Sequence, residues 1–344
     1  MLSRRNFIQL AAACGLTATL FPRQLFASEM IWVERARPLM GTIVAVAIKV
    51  PSDFDAQSLI NQAFDYAQSA IKLFSDWEVS SLANQLRTEK DLPIGNDRGR
   101  FFQTLVGQAL AVGKLSQGFY QPLSIELTEL WRQARNDSSI PTKLDLKFAL
   151  KAVQDSKVQL NPGKLVLQGS SGFDFNGIGK GFVADLLEEF FRSRGINTGR
   201  IACSGDLKCF GTENFLIEIE DPRPQHSASE ILGSFQVNQP MGIATSGDYR
   251  NCWKVNQRSY HHLINPLTGL PGRECMQATV LHPSATLADA LSTAVFFMSP
   301  NAGVRLIESI PQAAAVIVDR SHKVHATKGI SKLNGTRLLH GNSI

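Results

Sequence analysis

The sequence predicts an α+β fold, with mixed or antiparallel sheets and packed helices. Three observations carry that expectation. Strand-like and helix-like segments alternate irregularly, without the regular βαβ rhythm of a doubly wound parallel sheet. Two β-rich runs, 156–160 and 164–168, flank Asn161-Pro162-Gly163 as the arms of a hairpin. No Pro/Gly/Ser-rich linker divides the chain, so residues 28–344 are expected to form a single domain.

The elements follow in order. "TIVAVAIKV" (42–50) is apolar and β-branched, a strand. Phe64, Ala67, Ile71 and Phe74 recur at helical spacing within 54–75, and Asp53 or Asp55 can cap that helix. Phe101, Leu105, Val112 and Leu115 mark a second helix over 101–115. "GFYQPLSIELTELW" (118–131) reads as a turn leading into a short helix that ends near Trp131. Val183, Leu186, Leu187, Phe190 and Phe191 stripe a helix that Gly195 terminates. "RIACSGD", "FLIEIEDPR" and "ECMQATVLHPSA" are strand-like, and "QPMGIATSGDYR" is a strand breaking into a turn. "YHHLINPLTGLPG" is a loop, 286–298 a helix, and "AAAVIVD" (313–319) belongs to a final α/β segment.

The first 27 residues stand apart. Arg4 and Arg5 precede an uncharged run from Phe7 to Phe21, too short for the ~18 apolar residues of a spanning helix. Ser3-Arg4-Arg5-Asn6-Phe7-Ile8 is similar to a twin-arginine export signal, the alternative being an ordinary secretory signal. Either implies a periplasmic or otherwise exported protein. Cys14 lacks the leucine three residues ahead that a lipid-anchor cysteine carries, so lipidation is not expected. The formal net charge of +5 includes Arg4, Arg5 and Arg23, and their removal leaves +2. That is too small a surplus to argue for nucleic acid. Cys203, Cys209, Cys252 and Cys275 have no metal-ligand spacing; they are either disulfide partners or buried small side chains.

Four segments offer chemistry. "SSGFDFNGIGKGFVAD" (170–185) runs through glycines into a helix. It has neither the P-loop order nor the dinucleotide-fingerprint intervals. Its glycines, the helix N-terminus and Lys180 nonetheless have the makings of an anion site, unless this is a plain turn before a core helix. "ATSGDYR" (244–250) is a turn rich in hydroxyls and donors that Asp248 can organise. "HHLINPLTG" (261–269) brings a histidine suited to general-base work, or to local hydrogen bonds alone. In "ADALSTA" (288–294), Asp289 and Thr293 share one helix face and can supply two hard oxygen ligands, as Mg²⁺ prefers. The alternative is capping by Asp289, with Thr293 bonding back to a carbonyl.

Taken in chain order, "PLMGT" (38–42), "FNGIGKGFVAD" (175–185), "SGD" (204–206), "ATSGDYR", "HLINPLTG" (262–269) and "ADALSTAVFFM" resemble the successive signatures of the ApbE family, the FAD:protein FMN transferases. The resemblance spans essentially the whole chain after residue 27. It implies an α+β fold of that family's type that binds FAD in a cleft with Mg²⁺, or Mn²⁺, at its diphosphate. It implies transfer of FMN to a Ser or Thr hydroxyl of an acceptor protein, a membrane or periplasmic redox subunit, with release of AMP. By matched position it makes His262 the base and Asp289, Thr293 and the carbonyl of Gly177 the metal ligands. Met40, Trp77, Phe119, Tyr120, Gln121, Asp174 and Lys180 would bind FAD, joined by Thr245 and Ser246 of the hydroxyl-rich turn. Three departures stand out: Asn265 and Gln121 replace usual aspartates, and the stretch after Trp77 is short. They leave open a protein that only binds or traffics FAD. Hydrolysis of FAD to FMN and AMP is a further alternative.

Overall fold

The computed structural model of the protein describes residues 29–223, 230–249 and 251–338; the expected export signal and Cys14 lie outside them. The chain opens with β1 (Met30–Leu39) and β2 (Thr42–Pro51), then α1 (Ala56–Phe74), α2 (Leu82–Glu89), β3 (Asp91–Pro93), α3 (Asp97–Leu115), α4 (Ile125–Asn136) and α5 (Lys143–Asp155). The hairpin β4 (Lys157–Asn161) and β5 (Lys164–Gln168) leads to α6 (Gly179–Arg192). Then come β6 (Gly199–Cys203), β7 (Asp206–Phe210), β8 (Phe215–Glu220), β9 (Ile231–Val237), β10 (Met241–Gly247), β11 (Cys252–Val255), β12 (Arg258–His261) and β13 (Cys275–His282). The chain closes with α7 (Ala285–Phe296), α8 (Pro300–Glu308), β14 (Ala314–Asp319), β15 (Val324–Ala326), α9 (Lys328–Ser331) and β16 (Asn334–Leu338).

An eight-stranded sheet in the order β1-β2-β6-β7-β10-β13-β14-β15 forms the middle layer. Each neighbouring pair in it is antiparallel. Side chains alternate between its faces, as strand geometry requires. Ala315 and Ile317 of β14 join the large core formed with α1, α3, α6 and α7. Ala314, Val316 and Val318 point the other way, into a second core roofed by the small sheet β16-β9-β8. The result is an α/β/β arrangement, and the α+β expectation stands.

Several predicted boundaries hold, and the shifts have local causes. Asp55 caps α1 by accepting from Ser58 N at 3.1 Å. Asn96 caps α3, so that helix starts four residues before Phe101. The helix entered at Ser124 runs past Trp131 to Asn136. The four cysteines after residue 27 are free thiols, with Cys203, Cys209 and Cys275 buried. No helix among the described residues is long and apolar enough to cross a membrane.

The pairing of α6 with α7 positions the site. A Cβ on Gly181 would strike the Ala285 carbonyl and stand 2.9 Å from Asp289 Cβ, so only glycine lets the helices approach this closely. Asp185, one turn later, fastens the N-terminus of α7. It accepts from Ala285 N and Thr286 N, both at 2.9 Å, and from the hydroxyls of Ser284 and Thr286 at 2.8 and 2.7 Å. Lys208 completes the knot at 3.0 Å. Burial works against the Asp185 carboxylate, but Lys208 and the Thr286 and Ala285 donors outweigh it and hold its pKa below the ordinary value.

Two expectations follow. Gly181→Ala should destabilise the fold by about 1–3 kcal/mol through overpacking. Gly107→Ala, inside α3 with nothing within 4 Å of the new Cβ, should be neutral or stabilise by up to about 1 kcal/mol. Urea unfolding of both variants checks the contrast. Because the folded-state pKa of Asp185 is depressed, its stabilisation is present above the unfolded value of about 3.9 and fades as pH falls through the folded value. Asp185→Asn should therefore be less stable than the parent at pH 7, and the gap should narrow below about pH 4; an unchanged gap would contradict this assignment.

Candidate active site

A cavity of about 400 Å³ opens between the eight-stranded sheet, the edge of the small sheet and the helix pair α6/α7. That volume lies in the range of small-molecule sites. The sheet turns polar where it meets this space. On β13, Leu281 packs into the second core, but Thr279 and Gln277 on the same face are polar. Thr279 Oγ1 lies 2.9 Å from Thr245 Oγ1 of β10 and accepts from Gln277 Nε2 at 3.2 Å.

The helix α7 is buried nearly all round, which places Asp289 at 2 % exposure. A buried carboxylate needs compensation. Asp289 Oδ2 accepts from Gly181 N in the first turn of α6, at 3.0 Å. Oδ1 lies 3.3 Å from Lys180 Nζ. The positive end of α6 thus already holds a carboxylate. Of the loop's other N–H groups, those of Ile178 and Gly179 donate to Phe175 O, at 3.1 and 2.7 Å. Capping of α7 falls to Ser284, which accepts from Leu287 N at 3.3 Å, and not to Asp289. Thr293 does bond back to Asp289 O, at 3.3 Å.

Lys180 also reaches Asp206 Oδ2 at 2.9 Å, an ion contact without hydrogen-bond alignment. Burial favours the neutral amine of Lys180, but Asp206 and Asp289 outweigh it and keep the ammonium charged. Burial lifts the Asp206 carboxyl to about 7; Lys180 opposes the rise and Asp289 adds to it. Asp206 is a site residue that no role was assigned to from sequence, although it ends the quoted Ser-Gly-Asp segment. Its other oxygen accepts from Thr245 N at 3.2 Å, linking the carboxylate pair to the hydroxyl-rich turn.

The hydroxyls cluster beside this trio. Ser246 Oγ lies 2.9 Å from Ser292 Oγ and 3.3 Å from Thr293 Oγ1. A Cβ on Gly177 would stand 2.8 Å from Thr293 Oγ1, so the loop backbone abuts that hydroxyl directly. Among the described residues no three His, Cys, Asp or Glu side chains group as a metal site. The donor set here is instead one carboxylate with neutral oxygens, which fits a hard divalent cation whose remaining ligands come from substrate and water.

His261 is the last residue of β12 and His262 the first beyond it, and their surroundings differ. His261 is buried, its Nε2 2.9 Å from Gly272 O. Burial, first of all, lowers its pKa. His262 lines the cavity and its side chain is exposed to it, while the cavity walls crowd the ring. That crowding, with His261, Lys180 and Arg135 nearby, pushes the imidazole down to about 4. It is therefore neutral at pH 7 and able to accept a proton.

Asp174, also lining the cavity, is held by Asn176 N and Nδ2 at 2.8 and 2.7 Å and by the Thr128 hydroxyl. Burial raises its pKa against those bonds. Tyr120 is buried, lines the cavity, and its phenol has no hydrogen-bond partner among the described residues. Phe119, Gln121, Gly177, Lys180, Thr245, Ser246, Asp289 and Thr293 line the same space. Gln121 Oε1 accepts from Leu123 N at 3.2 Å, and Asn265 Oδ1 from Leu267 N at 2.9 Å. Both make local turn bonds that an aspartate would also make.

Met40 and Trp77 are not brought to the cavity wall. Met40 sits with Gly41 in the β1–β2 turn, both at positive φ (53° and 67°), and packs against the large core. Trp77 is 71 % exposed, its ring covered by the Arg132 guanidinium 4.0 Å from the centroid. The Asp248 carboxylate pairs with Arg320; Arg250, whose N–H an Asx turn at Asp248 would use, lies outside the described residues.

The sequence signature of the ApbE family matches residues 40–318. The FAD:protein FMN transferase of Treponema pallidum (strain Nichols) is 23 % identical over 321 residues, covering 86 % of this chain and 87 % of that protein. The enzyme of the same name from Vibrio cholerae serotype O1 is 26 % identical over 312 residues, 86 % of this chain and 90 % of its own. The crystal structure of the ApbE protein of Thermotoga maritima superimposes with a TM-score of 0.77 at 23 % identity, covering 88 % of this chain and 98 % of that one. The chain belongs to the ApbE family.

Proposed function

We propose that the protein is a FAD:protein FMN transferase that moves FMN from FAD to a Ser or Thr hydroxyl of an acceptor protein and releases AMP. The observation that carries this reading is one cavity lined by His262, Lys180, Asp289 and Thr293, in a chain whose relatives bear that name. The neutral His262 takes the proton of the incoming hydroxyl. The acceptor oxygen forms a bond to the FMN phosphorus as the diphosphate P–O bond to AMP breaks. Such transfer is mainly positioning and charge neutralisation. Asp289, Thr293 and the Gly177 carbonyl would hold a divalent cation, Mg²⁺ or Mn²⁺, which offsets the diphosphate charge and stabilises the departing AMP. Lys180 supplies a fixed positive charge beside that centre, and Asp206 fixes Lys180. Tyr120 presents an unpaired hydroxyl to the flavin nucleotide. Gln121 and Asn265 keep local turn bonds that an aspartate would also make, which is compatible with a working transferase site. The Arg4-Arg5 leader supports export, with a periplasmic or membrane redox subunit as acceptor.

The test is incubation with FAD, Mg²⁺ and a Thr-bearing acceptor domain. Gain of one FMN mass with release of AMP supports transfer. AMP with free FMN shows hydrolysis, and bound FAD without AMP shows a binding protein. His262→Asn should lower the transfer rate about 10²- to 10⁴-fold while leaving FAD affinity near the parent value. Protonation of His262 itself should lower the parent rate only toward its pKa of about 4, leaving the base competent above about pH 6. A rate that instead drops through pH 6.5 would assign proton uptake to another group.

A further inference from the structure

We propose that Arg320 is a positioning residue for His262, clamping the two loops that flank the cavity; the inference rests on His262 as the base. Arg320 stands one residue beyond β14, outside the segment that matches the family signature. One arm of its guanidinium pairs with Asp248 at the end of the hydroxyl-rich turn. The other donates to Gly272 O at 3.2 Å. His261 also contacts that carbonyl, at 2.9 Å.

Gly272 is the stem of the histidine loop. Its N–H donates to Leu263 O at 3.1 Å, and Ile264 bridges to Pro271. Asn265 N donates to Leu270 O at 2.8 Å, closing the tip. His262 is the residue immediately before this stem. On the other side, Asp248 N donates to Met276 O at 3.2 Å, and Thr245, Ser246 and Gly247, the last residues of β10 just before it, line the cavity. The two loops come from β10 and from the β12–β13 connection, and a planar, two-armed guanidinium suits their joining. A lysine could satisfy one arm only. The clamp sets where the imidazole stands relative to the hydroxyls at the diphosphate end.

The experiment compares Arg320→Met, Arg320→Lys and Asp248→Asn with the parent, using FAD, Mg²⁺ and the acceptor domain, and follows backbone hydrogen exchange of the proteins alone. Misplacing the base should cost Arg320→Met about 10- to 100-fold in kcat, with the KM for FAD changed far less. Arg320→Lys should recover part of the loss. Asp248→Asn combined with Arg320→Met should lose no more than Arg320→Met alone, because both break one clamp. In Arg320→Met the amides of 263–272 should lose protection while α7 keeps its own. Additive losses, a drop confined to the KM for FAD, or unchanged exchange in 263–272 would overturn the proposal. If the parent itself transfers no FMN, the functional reading fails, and the exchange data alone decide whether Arg320 clamps the loops.

Discussion

A carboxylate buried in a helix sealed on almost every side governs this architecture. Asp289 is compensated there by a backbone N–H from Gly181 and by the charge of Lys180. Both donors lie in the first turn of α6, where the helix dipole favours an anion. The contact requires a glycine at the crossing, and the close crossing brings Gly177 against Thr293. The same helix pair therefore supplies stability, a candidate cation site and the lysine beside it.

The rest of the cavity follows from where the two cores end. The eight-stranded sheet is apolar on both faces through its middle, sandwiched by helices and by the small sheet. Toward the cavity its side chains become Thr245, Thr279 and Gln277. A sandwich that turns polar at one end opens there, since a hydroxyl gains less from burial than a valine does. Where β12 ends, two adjacent histidines part, with His261 going to the packing and His262 to the cleft.

How much of this was legible in the sequence varied with the range of the forces involved. The stripe from Phe64 to Phe74 and the stripe from Val183 to Phe191 marked helices because their apolar periodicity is local. The Asn-Pro-Gly hairpin was readable for the same reason. By contrast α5 was not, since it buries only Ala149 and Val153 and leaves Leu144 and Phe148 exposed. The hairpin of β11 and β12 turns at Asn256 and Gln257, both at positive φ without a glycine to announce it. In the site, Asp289 and Thr293 were readable from one helical interval. Asp206 was not, because its role comes from Lys180 on a distant element. Trp77 shows the converse: an aromatic next to motif residues was drawn instead to a neighbouring guanidinium.

The register of β2 against β6 joins Val44 to Cys203. Everything from α1 through α6 is thus a long excursion between two hydrogen-bonded neighbours in the middle layer. Closing so large a loop costs chain entropy before the contacts that repay it form. The first hairpin must wait, one edge bare, until more than half of the polypeptide has emerged. A sheet closed across so long an excursion cannot be completed by local pairing alone, and the β2 edge that β6 will cover stays open until then.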